Sequence, residues 1–271
     1  MNRLLLSALA AALAASTAAA QDWAKARFDK TPRHYEYVKV THDKREVTAF
    51  ITFPEVKHKA TAVILIHENQ GLTDWARAMT DQVAEAGYIA IAPDLLSGMA
   101  PNGGGTAEFG ANRDGVSKAF GELGRDKADQ VTADLQAIVA YVAKLPACNG
   151  KVVVGGFCWG GGQTLRFATN NKDLKAALVF YGSSPAADAD VARIACPVYG
   201  FYGGNDARIG ATIPKTDELM KAAGKKYEPV TYEGAGHGFM RSGEDPADKN
   251  PANKQGRDQA WARMKEILAR L

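Results

Sequence analysis

The stretch "VVVGGFCWGGGQTLRFA", residues 152–168, decides how the rest of the chain is read. Three valines lead in, as suits a buried strand, and a helix-compatible segment leads out from about Gly160. Between them, Gly156-Phe157-Cys158-Trp159-Gly160 fits the pattern G-x-nucleophile-x-G, in which a reactive side chain sits on a sharp strand-to-helix turn. Crowding dictates that pattern. The nucleophile takes a strained backbone conformation, and neighbours without side chains let strand and helix approach closely. The Cys158 thiol would stand above the strand's C-terminal end. Unpaired amides and the helix dipole there favour a thiolate. The Trp159 amide would point where an oxyanion forms. Alone the pattern is weak, because a buried structural cysteine in a glycine-rich turn satisfies it equally.

The flanking sequence repeats the strand–helix alternation. Upstream, "YEYVKVTHDKREVTAFITF" (35–53) reads as two strands around a polar turn, an antiparallel hairpin. "TAVILIH" (61–67) and "YIAIAPD" (88–94) are short apolar runs, as expected of strands covered on both faces. Between them a helix is predicted over 73–86, with Ala76, Met79, Val83 and Ala86 on one side and Gly87 as its stop. Residues 95–121 are glycine-rich and weakly patterned, either a functional loop or plain surface disorder. A helix near 125–144 follows, its stripe made by Val131, Leu135, Ile138, Val139 and Val142. Beyond Cys158 come "KAALVFYG", "CPVYGFYGGND", a helix near 213–223, "YEPVTYEGAGHGF" and a last helix at about 256–270. The order implies right-handed crossovers and a mostly parallel sheet with helices on both faces.

Composition narrows the partners. Thirty-three Lys and Arg oppose 30 Asp and Glu, interspersed and without a basic tract, so nucleic acid is not an expected partner. Arg3, the run "LLLSALAAALAA" and the small residues before Gln21 have the layout of a signal peptide, with cleavage expected after Ala20. The remaining 21–271 are read as a single domain, secreted or periplasmic. No later segment is long and apolar enough for a bilayer, and no Cys/His cluster has metal-ligand spacing. No cofactor is expected. The oligomeric state is unknown, with a monomer favoured.

If Cys158 is a nucleophile, its partners lie downstream, in the chain order nucleophile, acid, base. Of the five histidines (His34, His42, His58, His67 and His237) only His237 does, in a glycine-flanked loop after the last predicted strand. "YGGND" ends the penultimate strand, which makes Asp206 the leading acid, with Asp188 and Asp190 as rivals and ordinary turn chemistry as the competing explanation. Glu68, in "HENQG", follows another strand end. It is either an exposed loop residue or a carboxylate facing the same cleft, able there to accept the thiol proton and to repel a premature thiolate.

At these residues the chain resembles the dienelactone hydrolase family, through "VILIHENQGL", "GYIAIAPDL", "GFCWGG", "YGGND" and "GAGHGFMR", in order along most of 35–271. The resemblance implies an α/β-hydrolase fold and a Cys-His-Asp triad, with Cys158 as nucleophile, His237 as base and Asp206 as orienting acid. The spacings, 48 positions from Cys158 to Asp206 and 31 from Asp206 to His237, are similar to the family's. Glu68 matches the family glutamate that holds the resting thiol neutral until a substrate carboxylate displaces it. Arg241 matches an arginine that pairs with that carboxylate, and the amides of Trp159 and Asn69 would form the oxyanion hole. A neutral resting thiol also resists oxidation, which suits export. Two departures stand out. The family's second arginine after "PDL" is missing unless Arg113 replaces it, and Gly238 stands where a serine follows the histidine.

The implied activity is hydrolysis of an ester or lactone through a thioester intermediate. A thioesterase or other acyl hydrolase, a non-catalytic small-molecule binding protein and a redox thiol protein are the alternatives; the absence of C-x-x-C argues against the last. Cys148 and Cys196 each precede a predicted strand at the opposite end of the sheet. A disulfide between them is left open, since an intervening strand would put the two strand axes about 9.6 Å apart.

Overall fold

The computed structural model describes residues 21–125, 127–184 and 191–271. The expected signal peptide and the rival acids Asp188 and Asp190 lie outside them. A short helix α1 (Asp22–Phe28) precedes the hairpin of β1 (Tyr35–His42) and β2 (Arg45–Thr52). Then come β3 (Ala60–Ile66), α2 (Asp74–Glu85), β4 (Ile89–Pro93), α3 (Arg113–Arg125), α4 (Ala128–Ala143), β5 (Cys148–Phe157) and α5 (Trp159–Ala168). The chain continues with β6 (Ala176–Phe180), β7 (Val198–Gly203), α6 (Ile213–Ala222), β8 (Tyr227–Tyr232) and α7 (Pro251–Ala269).

These strands form one sheet in the order β1-β2-β4-β3-β5-β6-β7-β8. β2 runs antiparallel to β1 and β4, while the neighbours from β4 to β8 pair in parallel. The C-terminal ends of β3 through β8 therefore share one edge of the sheet.

Strand period sends alternate side chains into two cores. Ile64, Ile66, Val152, Val154 and Val179 join α3, α4 and α5 on one face. Val63, Leu65, Val153, Leu178 and Phe180 join α1, α2 and α7 on the other. Continuous apolar runs were the expected signature of strands buried on both sides. In α2, Thr73 Oγ1 accepts a bond from the Ala76 amide, and Gly87 at φ +99° lets the chain turn away afterwards.

One expectation changes, and one question left open is decided. The last part of 95–121 is helical rather than irregular, because α3 starts at Arg113 and buries Ala119, Phe120 and Leu123. Gly115, Gly121 and Gly124 lower the local helix propensity, and packing overrides it. Cys148 and Cys196 are buried free thiols, not a disulfide. Strand β6 lies between β5 and β7, so the spacing between them defeats the bond. Burial pushes the Cys196 thiol up to about 11.

Candidate active site

Cys158 sits between β5 and α5 at φ +56°, ψ −116°, a conformation costing about 1–3 kcal/mol for a residue with a side chain. The surroundings hold it there. Its amide donates to the Phe180 carbonyl at 3.0 Å, and its carbonyl accepts from the amides of Gly161 and Gly162. Glycine is required around it by contact. A Cβ on Gly156 would lie 2.2 Å from the Gly160 oxygen, and one on Gly160 2.4 Å from the Ile66 oxygen. Trp159 opens α5, so its amide is among the first-turn donors that have no partner within the helix.

His237 lies in the loop after β8, where Gly238 at φ +76° lets the chain turn inward. Its Nε2 is 3.1 Å from Cys158 Sγ, and its Nδ1 is 2.5 Å from Asp206 Oδ2. Asp206 is buried after β7, its other oxygen accepting from the Ile209 amide at 3.3 Å. The Asn205 amide donates to the Ala235 carbonyl, tying the acid's loop to the histidine's loop. The hydrogen bond to Cys158 is the main cause that raises His237 to about 9, against burial and with help from Asp206. At neutral pH a positive imidazolium therefore faces the sulfur.

Glu68 is buried at the end of β3 and faces the cleft. Its carboxylate accepts from Arg241 Nε at 2.8 Å and from the Tyr181 hydroxyl at 3.3 Å. Thus the structure engages Cys158 with His237 and Glu68 with Arg241, rather than pairing the glutamate with the thiol. Arg241 comes from a one-turn helix, Phe239–Ser242, that begins immediately after Gly238. A Cβ on Gly238 would come within 3.3 Å of the Arg241 guanidinium, beside the position's left-handed φ. Asn69 is exposed next to Glu68, and Arg113 is exposed at the start of α3.

Sequence reasoning missed two contributors. Tyr181 follows β6 directly at φ +39°, fully buried, with its ring edge-on to His237 at 5.2 Å. Its position at a strand's C-terminal end was the available signal. Burial and the Glu68 charge keep its hydroxyl protonated, a donor to that carboxylate. His67 is buried beside Glu68. Its Nε2 accepts from the Leu95 amide at 3.2 Å, so the proton is on Nδ1, which donates to the Glu68 carbonyl at 2.8 Å. Burial lowers its pKa and keeps it neutral. It joins the end of β3 to the end of β4, and it stacks on Trp159 with ring centroids 6.0 Å apart.

A mostly parallel sheet of this order, with a strained nucleophile-type turn after β5 and an acid and a histidine after β7 and β8, defines an α/β-hydrolase. The chain belongs to the dienelactone hydrolase family, whose model matches residues 47–271. A Salmonella typhimurium protein provisionally named a carboxymethylenebutenolidase is 30% identical over 236 residues, covering 83% of each chain. Among solved structures, a provisionally named dienelactone hydrolase from Klebsiella pneumoniae superposes with a TM-score of 0.76 at 24% identity, covering 89% of this chain and all of its own. A dienelactone hydrolase-like promiscuous phosphotriesterase from metagenomic libraries gives 0.74 at 21% identity, over 88% of this chain and 98% of its own. The two structural likenesses concern the fold. The family supports an ester or lactone hydrolase.

Proposed function

We propose that this protein hydrolyses carboxylic esters or lactones through a Cys158-His237-Asp206 triad and a thioester intermediate, as a carboxymethylenebutenolidase-like enzyme. The observation that carries the reading is the unbroken hydrogen-bonded series from Asp206 through His237 to Cys158 at the C-terminal edge of the sheet. Cys158 sulfur attacks the carbonyl carbon while the Trp159 and Asn69 amides take the developing oxyanion. Collapse breaks the C–O bond, and His237 gives its proton to the leaving oxygen. Water then loses a proton to His237 and attacks the thioester; the C–S bond breaks, the acid leaves, and sulfur and the protonated imidazole return the site to its starting state. Asp206 keeps the proton on Nδ1 and stabilises the imidazolium.

Arg241 has the planar donor set for a substrate carboxylate. Such a group would compete with Glu68 for Arg241. Residues 1–20 would direct export, with the mature enzyme starting at Gln21 and working in the periplasm or outside the cell.

The test combines kinetics and mass. Cys158→Ala should abolish hydrolysis of 4-nitrophenyl acetate and of a dienelactone. In His237→Gln, a brief exposure to the activated ester should leave one acyl group on the intact protein, mapped to Cys158. An undiminished rate in Cys158→Ala would discard the mechanism.

A further inference from the structure

A groove of about 990 Å³ opens beside the site, bounded by the β1–β2 hairpin, the 69–77 segment and the 98–117 segment. Neither Cys158 nor His237 lines it. It reaches the site at Asn69, the residue after Glu68, and along α3, whose Val116 and Ser117 line the groove while Phe120 packs on Trp159 at 4.9 Å. That volume is at the top of the usual range for a small-molecule pocket and far exceeds the needs of a single lactone ring.

The groove's chemistry is polar and mostly self-neutralised. Lys39 pairs with Glu46 at 2.8 Å, and Arg77 pairs with Asp74. Asp94 is occupied by the amides of Leu96 and Thr106 and by the Thr106 hydroxyl, and Glu108 accepts from the Gly105 amide. Arg113 has no ion-pair partner among the described residues, and the side chains of Asn69, Gln70 and Ser117 likewise carry no hydrogen bond there. Tyr37 stands on one wall, 53% exposed, its hydroxyl held by Arg77 Nη1 at 2.6 Å. Another part of the lining is fixed as well: Thr106 Oγ1 accepts from the Leu72 amide at 2.9 Å and donates to Asp94. An anchored, solvent-facing aromatic ring that shares the groove with uncharged amides, hydroxyls and a guanidinium suits neither a hydrophobic chain nor a strongly charged group. It suits C–H faces against the ring and hydroxyls against the donors.

We propose that this groove holds a neutral glycosyl group on the alcohol side of the ester, so that acylated carbohydrates are substrates. The proposal rests on the hydrolase reading above and extends it to what lies beyond the scissile bond. The glycosyl group would stack on Tyr37, donate to and accept from the side-chain amides of Asn69 and Gln70, and accept from the Arg113 guanidinium.

The test uses monoacetylated xylobiose, ethyl acetate, 4-nitrophenyl acetate and free xylobiose. Wild-type enzyme should cleave acetyl-xylobiose with kcat/KM at least tenfold above ethyl acetate. Tyr37→Ala should cut that preference about tenfold, chiefly through KM. Tyr37→Phe, which keeps the ring, should preserve most of it. Calorimetry should show xylobiose binding to wild type and weakened binding to Tyr37→Ala. Equal rates on the two acetates, a preference unmoved by Tyr37→Ala, or better cleavage of an anionic sugar ester would overturn the proposal. If 4-nitrophenyl acetate is not cleaved, the hydrolase reading fails separately, and xylobiose calorimetry alone then decides the groove: no binding sinks it.

Discussion

Gly160→Ala is a stringent test of how this site is assembled. The new Cβ would lie 2.4 Å from the Ile66 carbonyl oxygen and 2.5 Å from that of His67. Ordinary contact begins near 3.4 Å, so α5 and the end of β3 must separate by about 1 Å. Both sides of the clash are backbone, and Ile66 is fully buried, so no side chain can swing aside. Overpacking of this kind costs ~3 kcal/mol, the upper end of its usual range. Alanine's better helix propensity returns about 1 kcal/mol. The net loss of ~2 kcal/mol corresponds to a Tm lowered by about 4–8 °C for a chain of this size. The same separation moves Cys158 and Trp159 away from Glu68 and Asn69, and a 1 Å misplacement costs on the order of 10²-fold in rate. The assay is thermal unfolding by circular dichroism with 4-nitrophenyl acetate hydrolysis on the same preparations. Gly124→Ala, where a Cβ meets nothing within 4 Å, is the control and should be neutral or stabilising by about 0.5–1 kcal/mol. A Gly160→Ala variant that unfolds and hydrolyses like wild type would refute the proposed reason for the glycine bracket.

Other consequences can be measured independently. The His237 imidazole should titrate near pH 9 by NMR, protonated below and neutral above, and Cys158→Ala should bring it down, because the hydrogen bond to Cys158 is the main cause of the rise. Activity that needs the imidazolium should accordingly fall as pH rises through about 9. Asp206→Asn should leave the fold intact and lower kcat on the order of 10²–10⁴-fold, measured with the dienelactone, since it removes the acceptor that sets the tautomer of His237. Arg241→Gln should destabilise by about 2 kcal/mol in urea, because Glu68 stays buried with only Tyr181 to bond it, a cost moderated by the arginine's partial exposure. Thiol titration of the denatured, unreduced protein should count three free cysteines.

Much of the fold was legible because its signals are local. Apolar runs of five to seven residues such as Ala60–Ile66 and Ile89–Pro93 mark strands covered on both faces, and they lie where expected. The hairpin and α2 also match, each with its own turn or cap chemistry. Helix α3 was hidden by three glycines, since what holds it is Phe120 and Leu123 packed in the core, a non-local fact. Nor could the cysteine pair be judged by spacing along the chain, because β6 separates their strands in space.

The amino-acid order by itself determined which groups could take part: one thiol in a glycine bracket, one histidine downstream of it, an acid after a strand, and a glutamate after "VILIH". Local crowding and the rule that parallel strands share an edge are enough for that much. Only the tertiary structure decided the pairings, placing His237 on Cys158, Arg241 and Tyr181 on Glu68, and a neutral His67 beneath them. Hydrogen bonds require heavy atoms within about 3 Å. Residues 79 to 173 positions apart reach such distances only when the sheet brings their loops together.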